Sequence, residues 1–371
     1  MQPRSVQIFC RIIDNFGDAG VTLRVARRFL AEGVAPLLIS DHLEVLAKLL
    51  PGLDPTAPRS VVDGIGVADW DAFAADPDAP ADLVLETFGC RLPEKFEERM
   101  AVTPPKLTMN LDYLSAEDWV ESCHGVWGLH PTLPIRKLWY FPGFTDRTGG
   151  LTIEPDYEDR RAAFDREAFL RSLGVTDPSR PTLYFFLYPT NDVVAWARAL
   201  LSIETPLNVL LAPGEGTDAL RDALSAAPHP HRVIATPFVE QPLFDRYLWA
   251  ADGVVIRGED SFVRAQLSGT PLFWATYPTE DKAHEIKFEA WAARVNAVLG
   301  DKDVAESLAL NRAWLEGKAD PEDLARWVEK FPILREAWAP WRASLFARRE
   351  LVSGMLGRYE EETGAASVSA P

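Results

Sequence analysis

Several absences narrow the chain before any motif is read. Cysteine is scarce: Cys10, Cys90 and Cys123 stand far apart, with no CxxC pair among them. That excludes a disulfide framework and a thiolate zinc site, and fits a reducing compartment. His124, His130, His229, His231 and His284 show no ligand spacing either, so no metal is expected. No apolar run approaches the ~20 residues that span a bilayer. The run beginning at Val6 is broken by Arg11 and Asp14, unlike a signal peptide, so a cytoplasmic protein without a membrane partner is expected. Basic charge is in deficit, 38 Lys and Arg against 55 Asp and Glu, for a net charge of −17. Such a surface repels phosphate backbones and argues against direct nucleic-acid binding. Nucleotide fingerprints are missing too: Gly64-Ile65-Gly66 and Gly214-Glu215-Gly216 are isolated, and neither leads into a P-loop Lys-Ser or Lys-Thr.

What is present is a globular α/β pattern. At 371 residues and 47% hydrophobic content the chain exceeds one ordinary core, so two domains are expected. Val6 to Ile13 reads as a buried strand, and Val21 to Ala31 has helical spacing. Ala35 to Ser40, Asp82 to Thr87 and Lys106 to Met109 read as further strands, with Asp41 capping a helix through Leu50. A second series follows at Thr182 to Leu187, Leu207 to Leu211, Arg232 to Ala235, Gly253 to Ile256 and Pro271 to Trp274. Pro321 to Lys330 and Pro332 to Arg358 have helical composition, and the tail after Tyr359 reads as frayed. Alternation of this kind predicts parallel sheets covered on both faces. The expected layout is residues 1–150 as one Rossmann-like domain, 151–180 as a connector and 181–330 as a second domain. Helices in 331–371 would pack back on the first. Ligands in such sheets sit beyond the carboxyl ends of the strands, here in a cleft expected between the halves.

Three loops at strand ends carry chemistry. Asp14-Asn15-Phe16-Gly17-Asp18-Ala19-Gly20 places two carboxylates around a turn. They would repel a nucleotide and suit a proton acceptor or a cationic substrate, or Asp18 simply caps the helix. Phe238 to Phe244 places two aromatic rings around Gln241. They could sandwich a nucleobase while Gln241 bonds its edge, although such pairs also serve core packing. Arg257-Gly258-Glu259-Asp260-Ser261 follows a buried strand and opens a helix that Gly269 stops. Gly258 permits close backbone approach, the helix-start N–H groups favour an anion, and Arg257 adds a fork that binds phosphate bidentately. A capped helix with a surface ion pair is the plainer alternative.

With those residues in view, the sequence resembles the bacterial elongation factor P arginine rhamnosyltransferase family. The resemblance rests on Ile13 to Asp18, Tyr113 to Val120, Phe141 to Thr145 and Arg257 to Gln266, in order along the chain. It implies a GT-B fold of two Rossmann-like domains facing across a cleft. It also implies inverting transfer of rhamnose from dTDP-β-L-rhamnose to an arginine of elongation factor P, without a metal. By motif, Asp18 would be the general base, with Asp14 helping to hold the acceptor guanidinium beside Asn15 and Phe16. Phe186, Tyr188, Phe238, Gln241, Phe244, Arg257, Glu259, Asp260 and Ser261 would form the donor pocket, with Glu259 also a catalytic candidate. The sequence departs from the family pattern at Tyr188-Pro189-Thr190, and at Ala275 and Thr279, where a His and a Gln are expected. The competing readings are a GT-B enzyme with a saccharide or lipid acceptor, and a non-catalytic nucleotide-sugar-binding module.

Overall fold

The computed structural model describes residues 1–13, 16–280 and 282–368. The chain forms two compact units: Met1–Pro155 with Arg348–Pro371, and Asp156–Ala347.

The first unit begins with β1 (Ser5–Cys10), α1 (Phe16–Ala31), β2 (Ala35–Ser40), α2 (Leu43–Leu49), β3 (Arg59–Val62) and β4 (Ile65–Asp69). It continues with α3 (Trp70–Ala75), β5 (Leu83–Thr87), α4 (Glu94–Val102), β6 (Leu107–Leu111), α5 (Trp119–Cys123), β7 (Trp127–Leu129) and β8 (Arg136–Tyr140). The eight strands lie in the order β3-β4-β2-β1-β5-β6-β8-β7. Neighbours pair in parallel except at the edges, where β3 returns on β4 and β7 on β8. Strand alternation divides the core into two layers. Val6, Ile8 and Cys10 meet the Leu23, Ala26 and Phe29 face of α1. Phe9 points the other way, against Trp70, Phe73 and Phe96.

The second unit holds α6 (Tyr157–Ala162), α7 (Arg166–Ser172), β9 (Thr182–Phe185), α8 (Val193–Ser202), β10 (Asn208–Leu211), α9 (Glu215–Ser225) and β11 (Arg232–Ala235). Then come α10 (Gln241–Ala250), β12 (Gly253–Arg257), α11 (Asp260–Ser268), β13 (Leu272–Ala275), α12 (Ala283–Leu299), α13 (Lys302–Leu315), α14 (Pro321–Glu329) and α15 (Phe331–Phe346). Its five strands are all parallel, in the order β11-β10-β9-β12-β13. Strand order reverses between β9 and β12, as it does between β1 and β5 in the first unit. Those are the points where an open α/β sheet leaves a crevice for a ligand.

The structure departs from the sequence reading in several places. The segment 151–180 expected as a connector carries α6 and α7, whose Tyr157 and Leu170 are buried in the second unit. The helix expected over Pro332 to Arg358 is two helices. α15 buries Trp338, Trp341 and Leu345 in the second unit, and only α16 (Leu351–Val368) joins the first, through Leu351, Val352, Met355, Leu356 and Tyr359. The tail expected to fray after Tyr359 continues that helix to Val368. Asp41 does not cap α2: its Oδ1 accepts the Ile12 N–H at 3.0 Å, and His42 occupies the cap position. The sequence reading does not include the β3–β4 hairpin, whose turn is Asp63-Gly64, with φ of 51° and 80°. An Asp-Gly pair between apolar runs is the usual signal for such a turn.

Candidate functional site

In the second unit, residues expected on the donor side gather at the strand ends around the switch point. Arg257 is the last residue of β12, and Phe186 follows β9, its neighbour in the sheet. The Arg257 guanidinium lies 4.3 Å from the Phe186 ring centre and 4.6 Å from that of Tyr188. Two aromatic faces thus hold the cation, which favours the planar guanidinium over an ammonium. Tyr188 is itself pinned. Its N–H donates to Asn191 Oδ1 at 2.7 Å, and its carbonyl accepts the Asn191 N–H at 3.1 Å. Beneath it runs Gly216, where a Cβ would stand 2.4 Å from the Tyr188 carbonyl oxygen, so only glycine lets α9 approach. Asn191 and Gly216 were not among the predicted site residues. Gly216 belongs to the motif set aside as isolated, and only its packing reveals what it supports.

Gly258 takes a φ of 75°, the left-handed conformation that turns the chain from β12 into α11. Glu259 occupies the N-cap position without capping the helix through its side chain. Arg257, Gly258, Glu259, Asp260 and Ser261 are all half-buried, hence reachable by a ligand. Helix-start N–H groups beside a guanidinium make a site for a diphosphate.

The start of α10 lies alongside. Gln241 is buried, and its Nε2 donates to Asp260 Oδ2 at 3.4 Å, so its amide is directed to α11. Phe244 packs on Tyr184 and Phe186 at centroid distances of 6.2 and 6.3 Å, while Phe238 is 44% exposed. One turn further in, Arg264 of α11 donates to Asp245 of α10 from Nε at 2.7 Å and Nη2 at 2.6 Å, with both side chains fully buried. The Arg264 guanidinium also lies 4.6 Å from the centre of the Tyr157 ring, whose phenol burial pushes up to about 12 and so keeps neutral.

In the first unit, Asp18 sits in the opening turn of α1 and is only 2% exposed. Its Oδ2 accepts the Ile13 N–H at 2.8 Å, so the carboxylate reaches back from inside the helix to the incoming chain rather than standing at the N-cap. Phe16 is half-buried, with the Lys48 ammonium 5.6 Å from its ring centre. Asp14 and Asn15 lie outside the described residues. Among the described residues, no group of three or more His, Cys, Asp or Glu side chains is placed to hold a metal ion. No helix there is long and apolar enough to cross a membrane.

Two Rossmann-like units, the second with an arginine and a helix start at its switch point, define a GT-B glycosyltransferase. Solved structures share this fold. A UGT transferase from Siraitia grosvenorii in complex with UDP is similar with a TM-score of 0.54 at 12% identity, covering 97% of this chain and all of that one. A solved structure concerned with EarP-mediated arginine glycosylation of translation elongation factor EF-P has a TM-score of 0.63 at 27% identity, covering 96% of this chain and 99% of that one. In sequence, the chain is 38% identical to a protein-arginine rhamnosyltransferase of Pseudomonas putida, covering 95% of this chain and 97% of the relative. Its identity to the Pseudomonas aeruginosa protein of the same name is 36%, covering 96% and 99%. The family described as Elongation-Factor P (EF-P) rhamnosyltransferase EarP matches residues 6–360, and the chain belongs to it. It is therefore an enzyme, a glycosyltransferase whose co-substrate is a nucleotide sugar.

Proposed function

We propose that the enzyme moves rhamnose from dTDP-β-L-rhamnose to one arginine of translation elongation factor P, with inversion at the anomeric carbon. The observation that carries this is the extent of the family match, residues 6–360, which takes in both the Asp18 turn and the Arg257 helix start. A translation-factor substrate puts the reaction in the cytoplasm.

The acceptor guanidinium is cationic in water and its lone pairs are delocalised, so it is a poor nucleophile. In this reading Asp18 takes the proton as the new C–N bond forms, with Asp14 as its partner in orienting the guanidinium beside Asn15 and Phe16. Support comes from the Ile13 N–H, which holds the Asp18 carboxylate in one orientation. As the C–N bond forms, the anomeric C–O bond breaks and dTDP leaves with the electron pair. Arg257 and the first N–H groups of α11 stabilise that charge, so the cation required is supplied by the protein and no metal is called for. Phe186, Tyr188, Phe238, Gln241, Phe244 and Ser261 complete the donor pocket. Glu259 and Asp260 would take neighbouring hydroxyls of the donor, with Glu259 also the candidate for a catalytic role.

The test is mass spectrometry of purified elongation factor P after incubation with enzyme and dTDP-rhamnose. One deoxyhexose on a single arginine is expected, with none from Asp18→Asn even though that variant still binds donor. Near-normal turnover by Asp18→Asn would remove the base assignment, and an unmodified factor would remove the proposal.

A further inference from the structure

The donor side has a wall that none of these residues supplies. β13 is the edge strand beside β12, and its open side is covered by the Asn311 side chain of α13. The Trp274 N–H donates to Asn311 Oδ1 at 2.7 Å, and Asn311 Nδ2 donates to the Trp274 carbonyl at 3.2 Å. One amide thus acts as an extra strand residue and fixes the end of β13. The register pairs Arg257 with Ala275, the last residue of β13, and Thr276 follows it directly. Trp274 stacks on Phe262 at 3.8 Å, so the end of β13 lies against the first turn of α11. Tyr277 then meets Tyr188 edge-on at 5.2 Å, the ring that carries Arg257.

Within this wall the Thr276 hydroxyl stands out. The residue is 5% exposed, and its Oγ1 is buried without a hydrogen-bond partner. Other buried hydroxyls of the unit, those of Thr217, Thr236, Ser268 and Thr270, all donate to backbone carbonyls. A buried hydroxyl left unbonded is unfavourable unless another molecule satisfies it.

We propose that Thr276 is a donor-binding residue whose hydroxyl donates a hydrogen bond to a diphosphate oxygen of the bound nucleotide, at the start of α11. The inference rests on the donor side of the proposed function and adds a residue to it. Phosphate is the group favoured at this position because the Arg257 guanidinium and the helix-start N–H groups already collect negative charge there.

Thr276→Val keeps the side-chain shape and removes only the hydroxyl. Calorimetric titration with dTDP should show binding weakened about tenfold or more, equivalent to about 1.4 kcal/mol. The melting temperature without nucleotide should hold or rise, since the deleted hydroxyl has no bond to lose, and Thr276→Ser should restore binding. A hydroxyl with only an internal structural role would instead lower the melting temperature and leave dTDP affinity alone, which overturns the proposal. Arg257→Ala separates the two levels of inference. If it weakens dTDP binding while Thr276→Val does not, Thr276 is not a ligand contact and the donor site stands. If the parent enzyme does not bind dTDP, the donor reading and this inference fall together.

Discussion

Replacing Asp245 with alanine should destabilise the second unit severely and weaken donor binding with it. Asp245 and Arg264 are both fully buried and joined by bonds of 2.6 and 2.7 Å. A guanidinium does not deprotonate in a protein, so removing the carboxylate leaves a fixed charge where water does not reach. Arg160 lies 3.7 Å from the same carboxylate, so two cations would lose their shared counter-ion. Deleting one partner of a buried pair costs about 3–5 kcal/mol. At about 2–4 °C per kcal/mol for a unit of this size, the melting temperature should fall by about 6–20 °C. The pair also fixes the spacing of α10 and α11, whose first residues, Gln241 and Asp260, meet at 3.4 Å in the proposed donor site. Affinity for dTDP should therefore drop even at temperatures where the variant is folded. Thermal unfolding by circular dichroism, followed by calorimetry well below the lower midpoint, measures both effects. Combining Asp245→Leu with Arg264→Met should recover most of the lost stability, because apolar groups of similar volume often replace a buried pair without loss. A midpoint for Asp245→Ala within about 2 °C of the parent would correspond to no more than about 1 kcal/mol and would refute the reasoning.

Two further outcomes follow from the same geometry. Arg257→Ala should weaken dTDP binding about 10–150-fold, the equivalent of about 1.5–3 kcal/mol for a bond to a charged group, with little change in melting temperature because Arg257 is only half-buried. His231 should make the protein acid-sensitive. Burial lowers its pKa, its Nδ1 accepts the Leu207 N–H at 3.2 Å, and its Nε2 donates to the Leu200 carbonyl at 2.7 Å, an arrangement that needs the neutral ring. The stability this gives is complete above the ordinary histidine value of about 6.5 and is lost as pH falls through the lower folded value. Melting temperature should therefore decline below about pH 6.5, less steeply in His231→Gln, and equal slopes would exclude His231 as the cause.

The parts of the fold legible in the sequence are those with local signatures. Ala35–Ser40 and Arg232–Ala235 end where the apolar runs end, and Gly269 stops α11 in the left-handed conformation that glycine favours. The boundary between the units was not legible in the same way. Phe331 to Phe346 and Leu351 to Val368 are both apolar helices, and nothing in their periodicity distinguishes the core each one joins. That depends on long-range fit. Trp341 donates from Nε1 to Gln266 of α11 at 3.0 Å, whereas the Leu351 N–H donates to the Leu151 carbonyl at 2.9 Å. The break at residues 347–350 separates two helices that could be read as one.

The candidate site divides along the same line. A strand, a glycine turn and a helix start are contiguous, so Arg257 to Ser261 stand out in the sequence before any contact is known. The groups that hold them in place come from distant positions: Asn191 and Gly216 under Tyr188, Asp245 against Arg264, and Asn311 against Trp274. None has a motif of its own, because each is defined by a partner 3 to 37 residues away and not by its neighbours. Their chemistry differs accordingly. The contiguous residues keep polar atoms where a ligand can reach them, whereas the distant ones spend theirs on a backbone or a buried charge. Thr276 falls between the classes, since it is as buried as a supporting residue yet its hydroxyl is bonded to nothing in the protein. Burial without a partner is invisible to sequence patterns, because it depends on which distant groups surround the hydroxyl.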